Sequence, residues 1–194
     1  TFKKDFLKVI TDKKKSISYW DRILASKVGN ILKTIKSKKL FDLITNFHHS
    51  KKDIELLLKK PAWGNVLLDI NIRDAHGETP LMFASTFDGK KLQEIETIEL
   101  LLKKGADVNA VDSTGATALF HASNNYNGEY KKSNIVKLLI QYGADVNHQN
   151  KNGITPLMIA DGNIINEDSY NIVKLLLDAG ADPTIISENG ETIS

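Results

Sequence analysis

The 194-residue chain has no cysteine, only four prolines and two methionines, and few aromatics (7%). Without cysteine there is no disulfide framework and no thiolate metal site. No run of about 18 apolar residues occurs, so no segment reads as a membrane-spanning helix. No apolar core of a secretory signal is visible either. Strong net charge is also missing, since the formal total is +2. The distribution is uneven, however. Residues 1–60 carry 16 Lys/Arg against 6 Asp/Glu, a net +10, and residues 61–194 carry 10 against 18, a net −8. The basic part could meet an acidic surface, or simply be a solvated set of Lys-rich helices.

Catalytic signatures are equally scarce. There is no Gly-rich phosphate loop, no nucleophile elbow and no helical pair of metal-binding histidines. The adjacent His48 and His49 lack companion ligands, and His76, His121 and His148 stand apart in sequence. The expectation is no catalytic site, no metal, no cofactor and no small-molecule substrate. Lys13–Lys15, Lys36, Lys38 and Lys39 could touch phosphates, but no aromatic stacking platform accompanies them and the acidic remainder would repel a nucleic acid.

What the chain does have is repetition. Gly77, Gly115, Gly153 and Gly190 are spaced 38, 38 and 37 residues apart. Around them recur Asp74-Ala-His-Gly77-Glu-Thr79-Pro80-Leu81, Asp112-Ser-Thr-Gly115-Ala-Thr117-Ala118-Leu119 and Asn150-Lys-Asn-Gly153-Ile-Thr155-Pro156-Leu157. Each is followed by an Ile/Leu-rich stretch that closes on Gly105-Ala-Asp-Val-Asn109, Gly143-Ala-Asp-Val-Asn147 or Gly180-Ala-Asp-Pro183. Asp-x-x-Gly favours a tight turn. Thr then caps a helix, and Pro at its first position has φ already set. The Ile/Leu stretch marks a second helix with a wide apolar face, and the following Gly ends it in a left-handed turn.

This double motif, G-x-T-P-L followed by L-L-x-x-G-A-D-V-N, resembles the ankyrin repeat family, and it covers residues 69–194 clearly. The resemblance implies an all-α solenoid of stacked helix–turn–helix units with short β-hairpin-like turns. The chain departs from the family in three respects. The period exceeds the usual length of about 33, and the Thr-to-Gly spans of 26, 26 and 25 residues place the excess between the two helices of each unit. Met82, Phe120 and Met158 stand where the family usually has His, so the polar network built on that His is not expected. Ala118 replaces Pro, at a cost of about 0.4–1 kcal/mol.

The expected organisation is an N-terminal helical extension (1–36), a degenerate capping repeat (37–71), three repeats (72–109, 110–147 and 148–184) and the start of a last repeat or cap (185–194). In the extension, Trp20, Leu24, Val28, Ile31 and Ile35 lie at helical spacing. In the capping repeat, Ser37 is expected to cap a helix bearing Leu40, Phe41, Leu43 and Ile44.

The resemblance further implies a protein–protein interaction module that holds a partner on its concave face, hairpin tips and enlarged inter-helix loops. The matching positions are Arg73, His76, Glu78, Val111, Ser113, Thr114, Gln149, Lys151, Asn152 and Ile154 at the tips. Asn124 and Asn125 lie at a helix end, and Phe87 and Tyr126 in the loops. Asn109 and Asn147 sit in contexts similar to those hydroxylated by an asparaginyl hydroxylase in ankyrin proteins. A cytoplasmic location, or delivery into a host cytoplasm, is the accompanying expectation. An alternative is the targeting or scaffold domain of a larger microbial effector or enzyme. If the register is right, Leu101 and Leu139 are core positions, and Leu139→Ala should cost about 2–5 kcal/mol through the cavity it leaves, read as a lowered midpoint in urea unfolding.

Overall fold

A computed structural model of the chain describes residues 37–40, 42–44, 69–87, 89, 92–125, 131–163, 166–190 and 192–193. Among them lie three pairs of helices and no strand. The first helices are α1 (Pro80–Ala84), α3 (Ala118–Ser123) and α5 (Pro156–Asp161), and the second helices are α2 (Leu92–Lys103), α4 (Ser133–Gln141) and α6 (Glu167–Asp178). Each first helix packs on the second helix of its own pair and on the first helix of the next, and second helices likewise pack on one another.

Local chemistry sets where these helices start and stop. Thr79, Thr117 and Thr155 are extended, and each side chain accepts the backbone N–H three residues on, at 3.2–3.3 Å. Pro80 and Pro156 occupy first-turn positions whose N–H would go unbonded anyway. The Met82 that replaces the family's usual His takes up part of a capping box, because its sulfur accepts the Thr79 N–H at 3.4 Å. At the other end, Ala106, Ala144 and Ala181 donate to the carbonyls of Leu101, Leu139 and Leu176 across a left-handed glycine. This six-to-one closure satisfies carbonyls that a helix end leaves free.

The apolar residues at equivalent positions form one core. Leu81, Leu119 and Leu157 are 1% exposed or less, as are Ile98, Ile135 and Ile172 on the second helices. Leu101 and Leu139 are wholly buried in the cluster, in line with the register read from the repeats. Leu40 and Ile44 join the same core, so the helical stretch at 37–40 and 42–44 belongs to the same packed body. Ser37 differs from its expected role. It is itself helical and buried, and its hydroxyl accepts the Asp69 N–H at 2.9 Å rather than standing ahead of the helix as a cap. Phe41, Tyr126 and all of the 1–36 extension lie outside the described residues.

Two ladders of hydrogen bonds lock the stack in register. At the hairpin tips, Ser113 N–H donates to His76 O, Lys151 N–H to Thr114 O and Glu188 N–H to Asn152 O, at 2.9–3.1 Å. At the other ladder, Asn71, Asn109 and Asn147 accept the N–H of Asp107, Asp145 and Asp182 at 2.7–2.9 Å. Asn109 and Asn147 also donate to the carbonyls of Gly143 and Gly180, both at 3.1 Å. The Asp-x-Asn that ends each of the first two units is therefore its tie to the next, and Asn71 makes the same bond from the preceding segment.

The two kinds of glycine carry different constraints. Gly115 and Gly143 both have positive φ, near 81° and 85°. A Cβ on Gly143 would meet nothing within 4 Å, whereas one on Gly115 would lie 2.9 Å from the backbone nitrogen of Lys151 in the next tip. Gly143→Ala should cost about 1–2 kcal/mol, the left-handed penalty alone, and Gly115→Ala clearly more, because the tip ladder must open as well. Equal urea midpoints for the two variants would contradict this arrangement.

Candidate functional site

The hairpin tips are built on an acceptor inside each turn. Asp74 Oδ1 accepts the N–H groups of His76 and Glu78, Asp112 Oδ1 those of Thr114 and Ala116, and Asn150 Oδ1 those of Asn152 and Ile154. The turn acceptor consumes these local donors, which leaves the two residues between it and the glycine with side chains in solvent. His76, Ser113, Thr114, Lys151 and Asn152 are accordingly exposed.

Other tip residues are committed to the stack. Arg73 is exposed, yet its guanidinium donates to Gly77 O at 2.8 Å and also to Val111 O of the next unit. Gln149, at the equivalent place, donates to Gly153 O at 2.8 Å and Ile186 O at 3.3 Å. The His148 ring, 3.0 Å from Gly115 O, reinforces the same junction. Glu78, Val111 and Ile154 are half-buried.

Phe87 and Asn125, both expected to meet a partner, require correction. Phe87 is 8% exposed because it folds back, its ring edge-on to Phe83 with centroids 6.1 Å apart. Asn125 is wholly buried, and its amide donates to Asp168 Oδ2 at 3.2 Å. Asn124 stays half-exposed and accepts from Asn163, whose amide also donates to Ile159 O.

Asn125 exposes what the sequence did not signal: the enlarged loops are tied across units by charge. The Asp168 carboxylate, in the first turn of α6, accepts from the Asn125 amide, the Ser133 N–H and the Ser133 hydroxyl. It thus caps α4 from the neighbouring pair, where the side chain of Lys132, the residue at the cap position, makes no capping bond to the helix. The Lys132 ammonium is buried and donates to Asn124 O at 3.0 Å and His121 O at 3.4 Å, near the end of α3. Burial pushes its pKa down to about 8. Gly89, in the preceding loop, lies so close to Lys131 that a Cβ there would stand 2.4 Å from its carbonyl oxygen. No sequence pattern pairs residues 35 apart in irregular loops, which is why this tie escaped detection.

On the first-helix face a second charged group forms. His121 Nε2 lies 2.8 Å from Asp112 Oδ2. Burial alone would raise the Asp112 pKa, but the Thr114 hydroxyl, the Ala116 amide, His121 and the Thr114 amide outweigh it and hold the carboxyl below its usual range. Glu78 reaches the same point from the preceding tip, with one ligand-type atom of each of the three side chains within 4.8 Å of the others. Among the described residues no helix is long and apolar enough to cross a membrane.

Removing the Asp168 carboxylate would leave a buried amide and the α4 N-terminus without an acceptor. Asp168→Ala should destabilise by about 2–3 kcal/mol, while Asp168→Asn should recover part of the loss. Urea unfolding of both variants measures it, and a neutral Asp168→Ala would mean that the loops do not depend on this tie.

A family model described as ankyrin repeats, in three copies, matches residues 90–187 of the chain. Comparison with the curated proteins gives no match.

Proposed function

The chain belongs to the ankyrin repeat family, whose repeats are in general protein-interaction modules and typically not catalytic, and from that premise we propose that it holds a protein partner on the surface formed by its hairpin tips and first helices. The observation that carries this reading is where the units differ. At buried positions they are nearly identical: Leu81, Leu119 and Leu157; Ala84, Ala122 and Ala160; Ile98, Ile135 and Ile172. At equivalent positions that reach solvent they diverge, with Ala75, Ser113 and Lys151 on one row, His76, Thr114 and Asn152 on the next, and Phe83, His121 and Ile159 along the first helices. A shared core with individual surface residues is the arrangement expected of a rigid frame that presents a specific surface.

The physical chemistry of that surface is mixed. Half-exposed apolar Phe83 and Ile159 stand beside polar Asn124, Asn163 and the tip side chains. Such a mixture suits a partner that brings both apolar anchors and hydrogen-bonding groups, with a few central contacts dominating the affinity. The loop side adds Tyr170, 60% exposed in the first turn of α6. A large aromatic ring with a polar end is a common anchor at protein interfaces. The frame that presents these residues is held by backbone ladders, so little conformational freedom need be lost on binding.

The full chain, immobilised and exposed to a lysate, identifies the partner by mass spectrometry. The triple variant His76→Glu, Ser113→Arg, Asn152→Arg should lose that protein while keeping the parent thermal midpoint, because none of the three side chains makes a stack bond. Changing Lys137, Gln141 and Lys174 on the second helices should leave capture intact. Retention by the tip variant, or loss confined to the second-helix variant, would refute this surface.

A further inference from the structure

We propose that Glu78, Asp112 and His121 form a binding site for a divalent transition cation of the Zn2+ type at the junction of the units that carry α1 and α3. The three side chains come from separate pieces of the chain: the tip before α1, the tip before α3, and α3 itself. Their ligand-type atoms, one per residue, all lie within 4.8 Å of one another. Around Zn2+, with bonds of about 2.0–2.2 Å, tetrahedral neighbours stand roughly 3.4 Å apart. The 2.8 Å pair of His121 Nε2 and Asp112 Oδ2 would open slightly, and the Glu78 carboxylate would close in.

Three features favour a cation over a simple hydrogen-bonded pair. First, the Asp112 carboxylate is oriented. Oδ1 is held by the Thr114 N–H, the Thr114 hydroxyl and the Ala116 N–H at 2.6–3.0 Å, so Oδ2 alone faces the cluster. A ligand fixed by such outer contacts is the usual design around a bound metal.

Second, two carboxylates converge on one imidazole. Glu78 and Asp112 bring two carboxylates to one half-buried point beside His121. The Arg73 guanidinium keeps its charge but bonds the Gly77 and Val111 carbonyls rather than either carboxylate. A dication would balance the pair, and a mixed nitrogen and oxygen donor set suits Zn2+ better than the oxygen-preferring Mg2+ or Ca2+.

Third, the repeats supply an internal control. At the next junction the equivalent positions are Ala116, Asn150 and Ile159, which offer neither carboxylate nor imidazole. Glu78 and His121 therefore both depart from their counterparts at the one junction where they meet. Three protein donors leave a tetrahedral ion one open position for water, or for a side chain arriving at the tip surface. The cation would also clamp two units together across their tips.

The test is titration of the metal-stripped full chain with ZnCl2, read by calorimetry and by thermal midpoint. The parent should bind one equivalent and gain about 3–5 °C at a tenfold excess over Kd. His121→Ala and Glu78→Gln should keep the parent's metal-free circular dichroism and lose both the heat and the shift. The double change of His48 and His49, the adjacent imidazole pair, should keep them. Absence of a shift in the parent would overturn the site. A shift that survives His121→Ala, or disappears with His48 and His49, would place the metal elsewhere. Partner capture is read separately, by the variant at His76, Ser113 and Asn152, none of which is a ligand here.

Discussion

The burial of Leu101 and Leu139 between neighbouring helix pairs is what the rest of this structure hangs on. A single pair of short helices cannot cover both its own apolar face and the face of its neighbour, and α1, with five residues, would not persist alone in water. Stacking resolves both problems, since each second helix is covered by the next and each first helix is pinned between its partner and its equivalent. Once the stacking distance is set by these side chains, backbones at the tips approach within hydrogen-bond reach. The ladder from His76 to Ser113, Thr114 to Lys151 and Asn152 to Glu188 follows. The bare Cα of Gly115 is a consequence of that approach as much as of its backbone angle.

The stack also governs which polar residues remain available to a partner. Arg73, Gln149, His148, Asn109 and Asn147 look like free surface groups, but each is bonded to a neighbouring unit. The residues left over are those between the turn acceptor and glycine and those on the outward side of the first helices. A binding surface in such a fold is thus what remains after the repeats have bonded to one another. The Glu78, Asp112 and His121 cluster is the exception, a polar group formed by two units together, in which Asp112 closes its own turn through Oδ1 and turns Oδ2 to the cluster.

The enlarged inter-helix loops, the chain's main departure from the usual repeat length, are held by a different means. Their ties are charged: Asp168 crosses between units to Asn125 and Ser133, and Lys132 bonds the carbonyls at the end of α3 within its own unit. Loops that merely joined helices would need no such anchors. Holding a carboxylate and an ammonium in partly buried positions costs solvation, which is offset only because each finds several oppositely polarised partners. Asn125 Oδ1 alone is buried without one among the described residues.

The sequence by itself determined the helix starts at Thr79, Thr117 and Thr155, the stops at Gly105, Gly143 and Gly180, and the core identity of Leu101 and Leu139. These follow from interactions within a few residues and from a period that any repeating solenoid must keep. Only the tertiary structure decided the fate of residues whose partners lie about 35 positions away. It buried Phe87 and Asn125 although both read as exposed loop and helix-end residues, turned Met82 into a sulfur acceptor for a helix cap, and brought Glu78 to His121. Local propensity is written in neighbouring residues, but burial and charge pairing depend on the stacking distance between units, which no single segment encodes.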